Sequence, residues 1–277
     1  MQSKIKIGFI GAGKVGTSLG KYLKESGLLI EGYYSRTYKN AEEAAAFTGS
    51  SAYYDMNTLI EKSDVIFITV NDDSIAKVCS EAAAQFESFA GKTFCHTSGV
   101  HSSNVLTDLK KLGAETCSIH MLLAVNDKYE SFKDFTEAFF TAEGDCERVC
   151  KILGLCGNEY KIISSENKIR YHAAAVFASN FVVALSHIAC GMLGTCGFSE
   201  TEALRALTPL MLNNMKNITE VGPQKALTGP VQRGDFETIR KHLSCFGDSS
   251  EDTLAKEIYK DLTNALLLQT DQKATLE

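Results

Sequence analysis

His120 and His172 carry imidazoles, which give or take protons near neutral pH, and Arg233 carries a guanidinium, which clamps carboxylates and phosphates. Asn180 follows His172 by eight residues with Val176 midway, so in a helix the three share one face. An amide on an otherwise apolar helix needs a partner, so Asn180 is either an internal hydrogen-bonder or faces a cleft. Arg233 sits in Thr228-Gly229-Pro230-Val231-Gln232-Arg233-Gly234-Asp235, a loop shaped by its glycines and proline. It serves either as an anion clamp or as the partner of Asp235 or of a neighbouring chain. A proton donor, a hydrogen-bonder and an anion clamp are what reduction of a polar double bond requires, provided a hydride source is held beside them.

Such a source has a place at the start of the chain. The apolar run Ile5, Ile7, Phe9, Ile10 leads into Gly11-Ala12-Gly13-Lys14-Val15-Gly16, and a helical pattern follows through Leu19, Tyr22 and Leu23. Strand, glycine turn and helix form the outline of a dinucleotide site: Gly11 permits the turn, Gly13 admits the pyrophosphate, and Gly16 lets the helix pack on the strand. The second strand ends in Tyr34-Ser35-Arg36-Thr37, where an NAD-binding protein has a carboxylate for the ribose 2′-hydroxyl. Ser35 and Thr37 offer hydroxyls and Arg36 a cation for a 2′-phosphate, so the expected cofactor is NADP rather than NAD. Glu31 comes too early in the strand to serve the ribose. Val70 and Asn71 end the next central strand and are expected to line the cofactor, with Asp72 or Asp73 capping the helix behind them. Thr97-Ser98-Gly99 follows a further strand, and His120 ends the one after, on the same sheet edge.

The elements that must position these residues alternate through the first half. Strands are expected at 5–10, 28–34, 52–54, 65–70, 93–96, 115–120, 138–142 and 160–163, with helices between most of them, which predicts a parallel sheet covered by helices. After about Ser164 strand signals stop. Helices are expected over 170–196, 200–217, 235–245 and 250–268, with Gly197 as a stop, Ser199 and Glu202 as a capping box, and Pro209 kinking or breaking the second. The expected fold is therefore an α/β Rossmann-like domain over 1–164 and an all-α domain over 165–277. Residues 173–193 are apolar enough to span a bilayer, but Ser179, Asn180, Ser186 and His187 interrupt them and no basic cluster flanks them, which favours a helix buried in protein. Residues 221–235 read as a shaped loop.

The formal net charge of −6 supplies no basic stripe for a nucleic-acid backbone. Met1-Gln2-Ser3-Lys4 runs directly into the first strand without a secretory h-region, so the expected location is the cytoplasm. Nine cysteines without an export signal are expected to be reduced and packed as small hydrophobes. Cys146, Cys150 and Cys156 have no second CxxC pair, and His96 and His101 no spaced partner, so no metal site is expected.

Taken together, Gly11–Gly16, Tyr34-Ser35-Arg36, His96-Thr97-Ser98-Gly99, Ser118-Ile119-His120, Tyr171-His172-Ala173-Ala174-Ala175-Val176-Phe177-Ala178-Ser179-Asn180, and Thr228–Asp235 with His242 resemble one family. It is the Rossmann-like proteins with a C-terminal domain of unknown function 2520, relatives of the 6-phosphogluconate dehydrogenase-like and pyrroline-5-carboxylate reductase-like NADP enzymes. The resemblance implies an NADP-binding homodimer joined through its helical domain, which also closes the cleft. It further implies an oxidoreductase passing a hydride between NADPH and a small carbonyl or imine substrate, with Arg233 on an anionic group. Two residues depart from the pattern. Met121 follows His120 where proline is common, and Val176 stands where the wider superfamily has a lysine four residues before the asparagine, leaving His172 or His120 as the acid. The missing lysine keeps a second reading open, a non-catalytic NADP-binding sensor or scaffold. A deazaflavin-dependent oxidoreductase is a third, against which Ser35-Arg36 speaks.

Overall fold

The computed structural model describes residues 5–270, so Met1-Gln2-Ser3-Lys4, on which the expected lack of an export leader rests, lies outside the described residues. The chain divides into two compact units, residues 1–179 and 180–277. In the first, an eight-stranded sheet runs in the order β3-β2-β1-β4-β5-β6-β7-β8. Its strands are β1 (Lys6–Ile10), β2 (Leu29–Tyr34), β3 (Ser51–Tyr53), β4 (Val65–Ile68), β5 (Thr93–His96), β6 (Glu115–Met121), β7 (Phe140–Gly144) and β8 (Tyr160–Ile162). Each expected strand is present.

The connections explain the topology. Helices α1 (Lys14–Glu25), α2 (Tyr38–Thr48), α4 (Asp72–Ala83) and α5 (Thr107–Lys111) carry the chain between parallel neighbours, and α3 (Met56–Lys62) returns it from the β3 edge to β4 on the far side of β1. Between β6 and β7 no α-helix intervenes. The chain returns through a loop and a 3-10 stretch, and β7 pairs antiparallel to β6 with His120 opposite Thr141. The all-parallel expectation is corrected there, because a crossover helix is what parallel pairing needs. Helix α6 (Glu147–Leu155) leads to β8, parallel to β7.

Every residue of β4 is buried, as its unbroken apolar run requires of a central strand covered on both faces. On one face Phe9 stacks between Tyr33 and Phe67 at 5.1 and 5.3 Å, and on the other Ile66 and Ile68 pack with Phe89, Phe94 and Leu59. Burial of such side chains stabilises the unit by roughly 1.5–3 kcal/mol each. This core fixes where the carboxyl ends of β1, β4, β5 and β6 finish.

Helix α7 (Lys168–Ala178) closes the first unit, and α8 (Asn180–Thr195) opens the second. The single helix expected over 170–196 is thus corrected to two, separated at Ser179, whose φ and ψ of −128° and −76° leave the helical region. Its hydroxyl donates to the Ala175 carbonyl at 2.7 Å, the side-chain competition for backbone groups that bends helices at serine. The expected burial is corrected too. Lys168 is the one buried residue of α7, α8 has none in the single chain, and Phe177 and Val183 are about two-thirds exposed. The stretch 165–195 is long and apolar enough to cross a membrane by composition. Its first half, however, is anchored to the sheet through Lys168.

The second unit continues with α9 (Glu200–Val221), α10 (Pro223–Ala226), α11 (Pro230–Arg233), α12 (Phe236–Leu243) and α13 (Ser250–Leu267). Gly197, at φ +92°, follows α8 as its stop, and Ser199 with Glu202 forms the capping box of α9. Pro209 does not break α9, which runs on for 22 residues. The shaped loop 221–235 holds two single turns, each started by a proline behind a glycine of positive φ.

Candidate functional site

The glycine turn is stapled between strand ends. Gly11 N–H donates to the Tyr34 carbonyl at 2.8 Å and Thr69 Oγ1 donates to the Gly11 carbonyl at 2.9 Å. Gly11 has φ +113°, and a Cβ on Gly16 would lie 2.3 Å from Thr69 Oγ1 and 2.4 Å from the Gly11 carbonyl oxygen. A Cβ on Gly13 would meet open space. We therefore expect Gly16→Ala to destabilise the fold by about 1–3 kcal/mol, while Gly13→Ala leaves stability unchanged and weakens nucleotide binding. Thermal melts beside nucleotide titrations check this, and equal melting losses in both variants would contradict it.

In front of the turn lies a cavity of about 450 Å³. Its walls include Gly11, Ala12 and Gly13 from the turn, Ser35, Arg36 and Thr37 from the end of β2, and Val70 and Asn71 from the end of β4. Lys14, Val15 and Gly16 continue behind it into α1. An open cradle at Gly13, backbone donors at a helix start and cations at the ribose end fit NADP. Glu31 is engaged elsewhere, accepting from Tyr53 Oη at 2.6 Å. The sequence reading missed Ser74 and Lys77 of α4, which line the same cavity and bring a second cation to it, with Glu81 close by. Helical spacing from Asn71 could have placed Ser74 one turn inside. Asp72 and Asp73 are not the cap expected of them. Asn71 is the N-cap residue, and both carboxylates stand in the first turn, where the helix dipole favours them.

Thr97 and Ser98 lie beyond the end of β5, outside this cavity. Ser98 is buried and engaged in its own turn, accepting at Oγ from Val100 N–H and His101 N–H at 3.2 and 3.1 Å. His96 is fully buried: Nδ1 accepts from Ser98 N–H, which leaves Nε2–H to donate to the Ser102 carbonyl, both at 3.2 Å. Burial lowers its pKa to about 4, with the Lys168 ammonium adding to the effect, so it is a neutral structural residue.

Gly99 is the meeting point of both candidate histidines. A Cβ there would lie 2.5 Å from His172 Nδ1 and 2.9 Å from His120 Nε2, and the two rings stand edge to face with centroids 5.7 Å apart. His172 Nδ1 is buried and has no hydrogen-bond partner on the protein. His120 Nδ1 faces Tyr171 Oη at 2.8 Å. Burial, then the charges of His172 and Lys168, lower the His120 pKa to about 4. An imidazole neutral at pH 7 is a weaker proton donor than an imidazolium, which favours an orienting role for His120. A phenol donates more readily than it accepts, so Tyr171 O–H on Nδ1 leaves the His120 proton on Nε2, toward Gly99.

Lys168 was not foreseen, and Tyr171 entered only as part of the resembling motif without a role, although both stand about one turn or less from His172. Asn180 and Arg233 belong to the second unit. Asn180 is exposed at the first position of α8 rather than sharing one uninterrupted helical face with His172. Arg233 is exposed at the end of α11, beside Asp235, which caps α12 through Thr238 N–H at 3.0 Å and whose pKa Arg233 helps to lower.

The family model of a Rossmann-like domain matches residues 1–121, and that of a domain of unknown function, DUF2520, matches residues 136–266. No curated protein matches the sequence. Among solved structures, protein TM1727 from Thermotoga maritima is 28% identical with a TM-score of 0.74, the match covering 95% of this chain and 97% of that one. BF3122 from Bacteroides fragilis, provisionally named an NADP oxidoreductase, is 22% identical with a TM-score of 0.74, over 96% and 98% of the two chains. A reductive aminase from Aspergillus terreus, solved with NADPH and ethyl-5-oxohexanoate, is 16% identical with a TM-score of 0.65, over 96% and 92%. The last two likenesses are of fold.

Proposed function

The chain is a Rossmann-like protein with a C-terminal domain of unknown function 2520, and on that premise we propose that it is an NADP-dependent oxidoreductase acting on a small, anionic carbonyl or imine compound. The observation that carries this reading is the cavity in which the glycine turn meets Ser35, Arg36 and Lys77. Backbone N–H groups at the start of α1 would hold the pyrophosphate, and Arg36 with Ser35, Thr37 and Lys77 the 2′-phosphate. Bound there, NADPH supplies a hydride. His172 donates the proton, its Nδ1 being free of protein partners, while neutral His120 orients the reacting group through Nε2. Asn180 is assigned as a hydrogen-bonder and Arg233 as the clamp for the anion, on the family resemblance. The NADPH complexes of the fungal reductive aminase, similar in fold, accord with this choice of chemistry.

Fluorescence titration with NADPH and NADH, followed by NADPH oxidation over a panel of keto acids and cyclic imines, tests the proposal. NADPH is expected to bind at least about tenfold tighter and to be oxidised with at least one panel member. Tight binding without any oxidation would favour the sensor or scaffold reading, and equal affinity for the two nucleotides would overturn the cofactor assignment. We also infer that the apolar side chains exposed on α8 are covered by a second copy of the chain. Sedimentation at micromolar concentration should then give twice the chain mass, and a monomer would refute it.

A further inference from the structure

The most deeply buried charge near the site is an ammonium. Lys168 is 2% exposed in the first turn of α7, and its Nζ donates to the Ser98 carbonyl at 2.8 Å and to Ser118 Oγ at 2.7 Å. The Ser118 hydroxyl, having accepted from Lys168, donates to Glu143 Oε2 at 3.0 Å. Glu143, also buried, further accepts from Ser103 N–H at 2.7 Å and Ser103 Oγ at 2.9 Å. Lysine and glutamate thus form a pair with a serine between them, joining the start of α7 to the turn after β5, the middle of β6 and the end of β7.

Burying an ammonium costs several kcal/mol before it is compensated, so a side chain of this type in a protein interior has something to hold. What Lys168 holds is the carbonyl immediately before Gly99. We propose that Lys168 is a positioning residue for the candidate site: by tying the Ser98 carbonyl to the first turn of α7, it sets the backbone against which His120 and His172 converge. The same helix turn that is pinned by Lys168 presents Tyr171 and His172, so one contact registers the helix-borne and the strand-borne imidazoles together.

The charge has a second consequence. The groups bearing on His120 are Tyr171, His172 and Lys168 from α7 and Asp72 from α4. Lys168 and His172 oppose its protonation, while Asp72 favours it. Removing the ammonium therefore lets His120 take up a proton at higher pH.

The proposal rests on the reading of His120 and His172, which meet at Gly99, as the histidines of the proposed function, but its test needs neither nucleotide nor substrate, so its failure is separable from failure of that function. Nitrogen NMR of the histidine rings, recorded on the full chain across pH, should show His120 neutral down to about pH 4 and locked in one tautomer. In Lys168→Met the His120 midpoint should rise by about one pH unit and the tautomers should mix. Lys168→Gln, which keeps a donor for the Ser98 carbonyl without the charge, should raise the midpoint and retain the tautomer. Ser118→Ala removes the other acceptor and should leave His120 unmoved. A fall in melting temperature with unchanged His120 titration in Lys168→Gln would make the ammonium purely structural and overturn the proposal, as would an equal shift in Ser118→Ala. These two variants decide the matter should Lys168→Met fail to fold.

Discussion

Replacing His172 with alanine is expected to lower kcat for NADPH-dependent reduction by about 10²–10⁴-fold, the usual contribution of a positioned acid or base, with NADPH affinity unchanged. The distinction follows from geometry. His172 stands at Gly99 on α7, whereas the cavity fitted to the nucleotide is built from the ends of β2 and β4. His120→Ala should cost less, about 10–100-fold, because a neutral imidazole orients by one hydrogen bond rather than by delivering charge. The pH profiles separate the two residues. The His120 pKa is depressed to about 4, so its neutral form persists over the neutral range, and any loss of rate between pH 6 and 8 belongs to another group. Single-turnover oxidation of bound NADPH is the measurement, and a His172→Ala rate within threefold of wild type would remove His172 from the chemistry.

Replacing Arg36 with alanine is expected to weaken NADPH binding by about 10–100-fold and to leave NADH binding as it was. A charge-assisted hydrogen bond to phosphate is worth about 1.5–3 kcal/mol, and NADH lacks the 2′-phosphate that would receive it. Arg36 is exposed, which places the effect toward the lower end and makes it sensitive to salt. Lys77 shares the cavity wall, so the residual preference for NADPH should fall further in the double variant. If Arg36→Ala weakened both nucleotides equally, the guanidinium would be packing on adenine instead of reading the phosphate, and titration calorimetry with the two nucleotides distinguishes the cases.

Most of the first unit was legible in the sequence because its signals are local. A continuous apolar run marked β4, glycines marked the turn, and the end of β2 displayed Ser35 and Arg36 in the order in which they line the cavity. The misreadings have physical causes. Antiparallel β7 obeys the same strand pattern as its parallel neighbours, and direction is set by the connection rather than by composition. The helix break at Ser179 depends on a side chain bonding to its own backbone, which periodicity does not register. Lys168 reads as a solvated cation at a helix start, since its partners, Ser98 and Ser118, lie 70 and 50 residues away in the chain. The neutrality of His120 likewise depends first on burial and then on neighbouring charges, both of which only the fold supplies.

The unit boundary at Ser179 also divides the residues assigned to the proposed function. The glycine turn, the 2′-phosphate cations and both histidines fall within residues 1–179, while Asn180 and Arg233 fall after it. On the proposed function, the residues assigned to nucleotide recognition and to proton handling fall in one uninterrupted stretch. If that function holds, substitutions confined to residues 180–277 would alter substrate choice while leaving the assigned nucleotide and proton-handling residues in place.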